Sequence, residues 1–314
     1  MNVVYRSFLV LMFCPVFVGA AVLDMPAKTL TGHRQAVETI AISPDGQYLA
    51  SAGLDLSVIL WSLKTGKVKK VIGGHTDSVW AVDFSPESDL VASLGNQTIE
   101  IWKVPRGDNS DTIVGQSFSM YCAKFSPDGE YIASGGLKSI GIWNVKSGVS
   151  SRVLKGHSGG VNSIAYAPSG LALISGGADG TLNVWNIEGA NITKSIKAHK
   201  EPIRCVAISP DGGSAATASL DGTVKLWRLS DGALLNTFKA HAGGARSAAF
   251  SPDGRYLATG GLDGTVKLWS AGGKVPLKVY IGHADSVETL AFTPDGKLLA
   301  SGSKDATVKL WNLP

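Results

Sequence analysis

Cysteine, histidine and net charge are all scarce in this chain. It has three Cys and six His in 314 residues, no Cys-x-x-Cys-His run for haem, and no carboxylate cluster outside turn sequences. These shortages leave little material for a metal, haem or general acid–base site. The formal net charge of +4 is too small for a chain this long to argue for nucleic-acid or membrane-surface binding. Long apolar runs are missing as well. The longest, Ser7–Val18, is interrupted by Pro15 and falls short of the ~20 residues that a membrane span needs.

Tryptophan is present at regular intervals. Trp61, Trp102, Trp143, Trp185, Trp227, Trp269 and Trp311 recur every 41 or 42 residues and account for seven of the eight tryptophans. Such a period marks an array of identical supersecondary units. All six histidines keep step with it: His33, His75, His157, His199, His241 and His283 each follow Gly or Ala, and Gln116 fills the gap in the third unit. A turn also repeats, as Ser43-Pro44-Asp45-Gly46, Ser126-Pro127-Asp128-Gly129, Ser209-Pro210-Asp211-Gly212, Ser251-Pro252-Asp253-Gly254 and Thr293-Pro294-Asp295-Gly296. Proline second and glycine fourth suit a type I turn between strands.

Unit five shows the local pattern. Ile203–Ser209, Ser214–Ser219, Thr223–Leu229 and Leu234–Lys239 read as four short strands separated by turn residues, without helical periodicity. An up-and-down antiparallel sheet of this kind cannot cover both its faces alone, so the units must pack on one another. Cys122 and Cys205 occupy the strand column of Thr39 in units three and five. With a whole unit between them they are too far apart to bridge, and they read as small buried hydrophobes.

Residues 1–20 stand outside the array. One early charge at Arg6, the apolar run, and Val18-Gly19-Ala20 have the layout of a secretory signal peptide cleaved after Ala20. Phe13 before Cys14 is too bulky for a usual lipidation site. Removing these residues leaves seven units, with 21–26 as a lead segment and 27–314 as the repeat domain. The expected location is periplasmic or secreted, with no stable membrane span once the leader is removed; an uncleaved anchor is the other reading of the same run.

The Gly-His start, the Ser-Pro-Asp-Gly turn, the Asp-Gly-Thr-Val-Lys-Leu-Trp segment and the period together resemble the tryptophan–aspartate (WD) repeat family, from Ala27 to Pro314 in seven copies. The resemblance implies an all-β, seven-bladed β-propeller of four-stranded antiparallel blades around a central channel. The Asp that follows Trp in the family is absent from every copy. The last copy ends after its third strand, and Ala27–Thr31 is placed to supply the fourth, so that an N-terminal strand closes the last blade and removes an open edge.

The resemblance also implies one hydrogen-bonded network per blade: His33, Ser51, Asp55 and Trp61 in unit one; His157, Ser175, Asp179 and Trp185 in unit four; His199, Thr217, Asp221 and Trp227 in unit five; His241, Thr259, Asp263 and Trp269 in unit six; His283, Ser301, Asp305 and Trp311 in unit seven. A catalytic site occurs once, whereas this set recurs five times, so the histidines are expected to be structural, with no catalytic residue, cofactor or metal. Units two and three depart from the pattern, with Asn96 in place of the acid, Gln116 in place of His, no acid near Leu137, and one residue fewer between second and third strands.

Function is then expected at positions that vary. In the family a residue near the start of each first strand faces the top rim of the channel; here these are Glu38, Trp80, Tyr121, Asn162, Arg204, Arg246 and Glu288. Leu54, Leu220 and Leu262, just before the turn Asp, would add apolar contacts on that face. Exposed aromatic and Arg groups are the usual anchors of protein-binding surfaces. The leading expectation is a non-catalytic scaffold that binds a protein or peptide, acting as a monomer or as a subunit of a complex. The alternative is a propeller enzyme or metal-binding protein with a site at the channel mouth, where Glu38 and Glu288 are neighbouring acids. Lys225, Lys267 and Lys309 repeat at one position and are expected on the frame's surface.

Overall fold

The computed structural model describes residues 17–18, 21–95, 97–114 and 119–314. The leader expected over 1–20 therefore lies outside the described residues apart from Phe17–Val18, as do Asn96 and Gln116. Among the described residues no helix is long and apolar enough to cross a membrane.

Seven antiparallel sheets follow one another along the chain. Blade one runs from its inner strand Val37–Ile42 through Tyr48–Gly53 and Val58–Ser62 to the outer Lys67–Ile72. The turn after each inner strand has the expected form: in blade one the Gly46 N–H donates to Ser43 O at 2.8 Å, with Gly46 at φ 69°. Glycine meets that dihedral at no steric cost. Inner strands pack in a closed ring, with Val287–Phe292 of blade seven against Val37–Ile42 of blade one.

Closure works as the sequence suggests. Lys28–Thr31 pairs antiparallel with Thr307–Leu310 and forms the fourth strand of blade seven. A further strand had no sequence signal. Ala21–Asp24 runs parallel to Lys278–Tyr280 on the outside of blade six, tied by the Ile281 N–H to Asp24 O at 3.0 Å and the Lys278–Asp24 ion pair at 2.9 Å. Phe17–Val18 pairs antiparallel with Ala21–Val22 beyond it. The addition covers the whole outer edge of blade six's own fourth strand, which is three residues long.

The core lies between blades. Seven apolar clusters occupy the seven seams, and in each the tryptophan of one blade packs against the sheet before it. Trp102 lies with Val58 and Leu60, and Trp61 closes the seam with Val308 and Leu310. Burying an indole removes ~150–250 Å² from water, roughly 4–6 kcal/mol at about 25 cal/mol per Å². The glycine before each of the first two histidines makes room for it: a Cβ on Gly32 would meet the Trp61 ring at 2.8 Å, and one on Gly74 the Trp102 ring at the same distance.

Side chains on the inner strands stitch the seams a second time. Thr39 Oγ1 accepts the Val82 N–H at 3.2 Å, Ser163 Oγ the Val206 N–H at 3.0 Å, and Thr289 Oγ1 the Ile40 N–H at 3.3 Å. Asp83 serves the seam between blades two and three, taking the Phe125 N–H at 2.9 Å and the Lys124 ammonium at 2.6 Å. The two cysteines belong to this belt. Cys122 Sγ lies 3.6 Å from Val161 O and Cys205 Sγ 3.5 Å from Ala248 O, each bridging to the next blade. Both are free thiols, part-buried and packed against the apolar seam clusters as small hydrophobes, and they also line the channel. Burial still pushes the Cys122 thiol up to about 12.

Candidate functional site

The structure explains why the second residue of each inner strand faces the channel mouth. In blades one, four, five, six and seven the pairing register slips at that residue, leaving Glu38, Asn162, Arg204, Arg246 and Glu288 as the extra residue of a β-bulge. A bulge bends the strand and re-aims one side chain. In blades two and three the residue precedes the strand, held by the Trp80 N–H to Leu94 O at 2.9 Å and the Tyr121 N–H to Gly135 O at 2.8 Å.

All seven side chains line one cavity of about 530 Å³ at the mouth, together with Leu137, Gly160 and Ala178. Below it the channel continues as a space of about 380 Å³ that reaches Tyr166 and Phe250. Leu54, Leu220 and Leu262 do not line the mouth cavity; Leu220 and Leu262 flank Gly244, both within 3.4 Å of where its Cβ would lie. Leu137 takes their role at the wall. It stands at the corresponding turn of unit three, and the shortened turn there was the available signal. A larger hollow, about 760 Å³, lies between blades five and six, but much of its wall is the repeating turns around Pro210 and Pro252. Frame turns carry less specificity than seven side chains of five different kinds, so the mouth is the stronger candidate.

The mouth is polar on one side and apolar on the other. Trp80 is 38% exposed and Leu137 47%. Asn162 is locked by its Nδ2, which donates to Ile203 O at 2.7 Å. Glu288 accepts the Ser286 hydroxyl at 2.5 Å and has Arg246 Nε at 3.6 Å and Lys304 Nζ at 3.9 Å. Burial, then the Glu288 charge, raises Glu38 above the usual carboxylate value, while Lys304, Arg246 and Arg204 oppose the shift. Burial, then Arg246, lowers Arg204. No group of three or more His, Cys, Asp or Glu suited to holding a metal occurs among the described residues.

The histidines lie away from the mouth, inside the blades. Each of the seven structural tryptophans donates its indole N–H to the Ser or Thr of the second strand, as Trp61 to Ser51 at 2.7 Å and Trp227 to Thr217 at 2.9 Å. That hydroxyl faces His Nε2, and His Nδ1 faces the turn Asp, at 2.9 Å for His33–Asp55 and 2.8 Å for His241–Asp263. All five intact networks expected from the resemblance form. In blade two His75 keeps Ser93 at 2.6 Å.

Two members of the network escaped the sequence reading. Thr223, Thr265 and Thr307 donate to the Asp at 2.6–2.7 Å, a role visible in hindsight in the repeated Asp-x-Thr. Lys225, Lys267 and Lys309 are not surface groups. Lys309 is 8% exposed, and Lys225 and Lys267 donate to Ala198 O and Ala240 O, the carbonyls just before His199 and His241.

Comparison with known proteins agrees with this geometry. The sequence profile described as "WD domain, G-beta repeat" matches residues 25–62, 66–103, 107–144, 148–186, 190–228, 232–270 and 274–312. A 55-residue segment is 47% identical to the Notchless protein homolog of Arabidopsis thaliana, covering 18% of this chain and 12% of that one. Another, of 62 residues, is 37% identical to WD repeat-containing protein SL1-17 of Schistosoma mansoni, covering 20% and 21%. A third, of 69 residues, is 33% identical to Superkiller complex protein 8 of Dictyostelium discoideum, covering 22% and 23%. The chain thus spans less than a quarter of the length of each of these relatives.

Proposed function

The chain belongs to the WD domain, G-beta repeat family, and on that premise we propose that it is a non-catalytic scaffold, periplasmic or secreted, which holds a protein or peptide at the channel mouth. Members of this family generally act as protein-interaction scaffolds and are typically non-catalytic. One observation carries the reading. The residues that repeat are engaged in holding blades together, while the seven that differ converge on one open cavity. The location rests on the leader layout of residues 1–20. That one relative is named for a complex is consistent with a subunit role here.

Contact falls to Trp80, Tyr121, Arg204 and Arg246 as anchors, with Glu38, Asn162 and Glu288 completing the rim and Leu54, Leu220 and Leu262 extending the same face. Affinity capture from the native envelope, with the wild-type chain and a Trp80→Ala/Arg246→Ala variant side by side, tests this. Wild type should retain a defined partner that the variant loses while its melting temperature stays close to that of wild type. A partner retained equally by both moves the surface elsewhere, and capture of none removes the scaffold reading.

A further inference from the structure

Arg204 and Arg246 occupy the same bulged position on neighbouring blades, and neither guanidinium is hydrogen-bonded among the described residues. Among the described residues the Arg204 guanidinium has no hydrogen-bond or ion-pair partner. Arg246 Nε is shut off from solvent without a hydrogen bond, and its nearest carboxylate oxygen, on Glu288, is 3.6 Å away. That is beyond a hydrogen bond. Each guanidinium presents five N–H donors in a planar fork, and a buried donor left unmet is costly.

The acids of the mouth do not fill this need. Glu288 gives one oxygen to the Ser286 hydroxyl and Lys304 and keeps the other 3.6 Å from Arg246, and Glu38 lies a blade further round. Three cations, Arg204, Arg246 and Lys304, thus face two carboxylates. The cavity is of small-ligand size, within the ~300–1,000 Å³ of ordinary ligand sites. Its opposite wall is Trp80, Tyr121 and Leu137.

Building on the reading of the mouth as the docking surface, we infer that what docks there is a peptide segment with an Asp or Glu side chain beside a bulky apolar residue. The carboxylate lies between Arg204 and Arg246, and the apolar side chain lies on Trp80 and Leu137. A carboxylate has about four lone-pair sites and takes an arginine fork with two parallel hydrogen bonds, so one negative charge can accept from both guanidinium groups at once. An ammonium group between Glu38 and Glu288 would instead sit among Arg246, Arg204 and Lys304.

The test is a library of random internal peptides, acetylated and amidated at their ends, panned on the immobilised full chain. Amidation prevents a chain-terminal carboxylate from imitating the result. Enriched sequences should carry Asp or Glu next to Trp, Phe, Tyr or Leu. The best binder should weaken roughly ten- to a hundredfold on changing its acid to the amide, and equally on Arg204→Gln or Arg246→Gln in the protein. Arg204→Lys, which keeps the charge but loses the fork, should recover part of the loss. Circular dichroism melts confirm that each variant is folded.

Enrichment of basic or uncharged peptides, a library without acidic binders, or acidic binders indifferent to Arg204→Gln and Arg246→Gln would overturn the inference. Trp80→Ala separates the two levels. Non-acidic peptides that still depend on Trp80 leave the docking surface standing and remove only its acid preference. Binders indifferent to Trp80→Ala and Tyr121→Ala remove the docking surface itself.

Discussion

Trp61 Nε1 donates to Ser51 Oγ at 2.7 Å, and that one hydroxyl ties the indole to the imidazole behind it. His33 Nε2 meets the same hydroxyl, also at 2.7 Å. On the other side of the ring, Nδ1 faces Asp55 at 2.9 Å. Every polar group along this line thus has a partner. Replacing Ser51 by Ala leaves the indole N–H and Nε2 both unmet in the interior. The expected loss is on the order of 2–4 kcal/mol, from two buried unsatisfied groups at ~1–3 each. Ser51→Thr should be nearly neutral, since Thr217 and Thr259 hold this place in blades five and six. Urea midpoints of the two variants decide it; equal losses would dissolve the hydroxyl's role.

The same networks set the response to acid. Burial holds His199 and His241 below their ordinary 6.5, with Asp221 and Asp263 only partly opposing it. Burial alone would raise Asp263 and Asp305, but hydrogen bonds from His241 and His283 and from Thr265 and Thr307 outweigh it, so both lie well below 3.8. In both classes the folded value is depressed. The stabilisation is therefore present above the unfolded value and lost as pH falls, because the unfolded chain binds protons first. Urea midpoints should hold above about pH 6.5, decline as the histidines of the unfolded state charge, and drop further below about pH 4 as its carboxylates protonate. A midpoint that rises on acidification from neutrality would show that burial does not hold His199 and His241 below 6.5.

Asn183 is 1% exposed, yet neither of its amide atoms finds a hydrogen-bond partner among the described residues. Blades five, six and seven have lysine at that place, and two of those reach the carbonyl just before the histidine. Asn183 is too short to do so in blade four. Asn183→Lys should therefore stabilise the chain by about 1 kcal/mol, exchanging two unmet groups for one charge-assisted hydrogen bond. A lower melting temperature would show that the pocket cannot admit the longer stem.

Blades two and three are the expected soft sector. Their inner strands, Ala81–Phe84 and Cys122–Phe125, have four residues where the other five have six. His75 keeps its serine partner but has no carboxylate partner among the described residues. Amide exchange should be fastest in these two blades. Uniform protection around the ring would mean that the seam clusters, rather than the networks, set local stability.

What could be read in the sequence was whatever recurs with its chemistry intact. Trp61, His33 and Asp55 announce one another across units, so blade number, closure and the buried networks followed. The belt across the seams was hidden because Thr39, Ser163, Cys205 and Thr289 share only small size. Lys225 misled because a lysine reads as solvated, and nothing local shows that its ammonium meets a carbonyl. Ala21–Asp24 carried no signal because parallel pairing at an edge depends on a vacancy some 250 residues further along. The rim positions came from a family pattern, while their cause, a bulge at Glu38, Asn162, Arg204, Arg246 and Glu288, is a matter of register that composition does not encode.

Closure of the ring yields the last prediction. Lys28–Thr31 completes blade seven and buries Leu30 in the seam with Val308 and Trp61. Deleting residues 27–31 opens the edge of Thr307–Asn312 and leaves the cluster between blades seven and one without one of its buried side chains. In a ring every blade leans on two neighbours, so the damage is shared and the whole melt should move to lower temperature as one transition. Leu30→Ala, which keeps the backbone pairing, should lose only ~2–5 kcal/mol. The comparison separates the strand from its side chain: if the deletion costs no more than Leu30→Ala, the ring is held by packing alone and the extra strand is dispensable. Differential scanning calorimetry of both variants gives the answer directly.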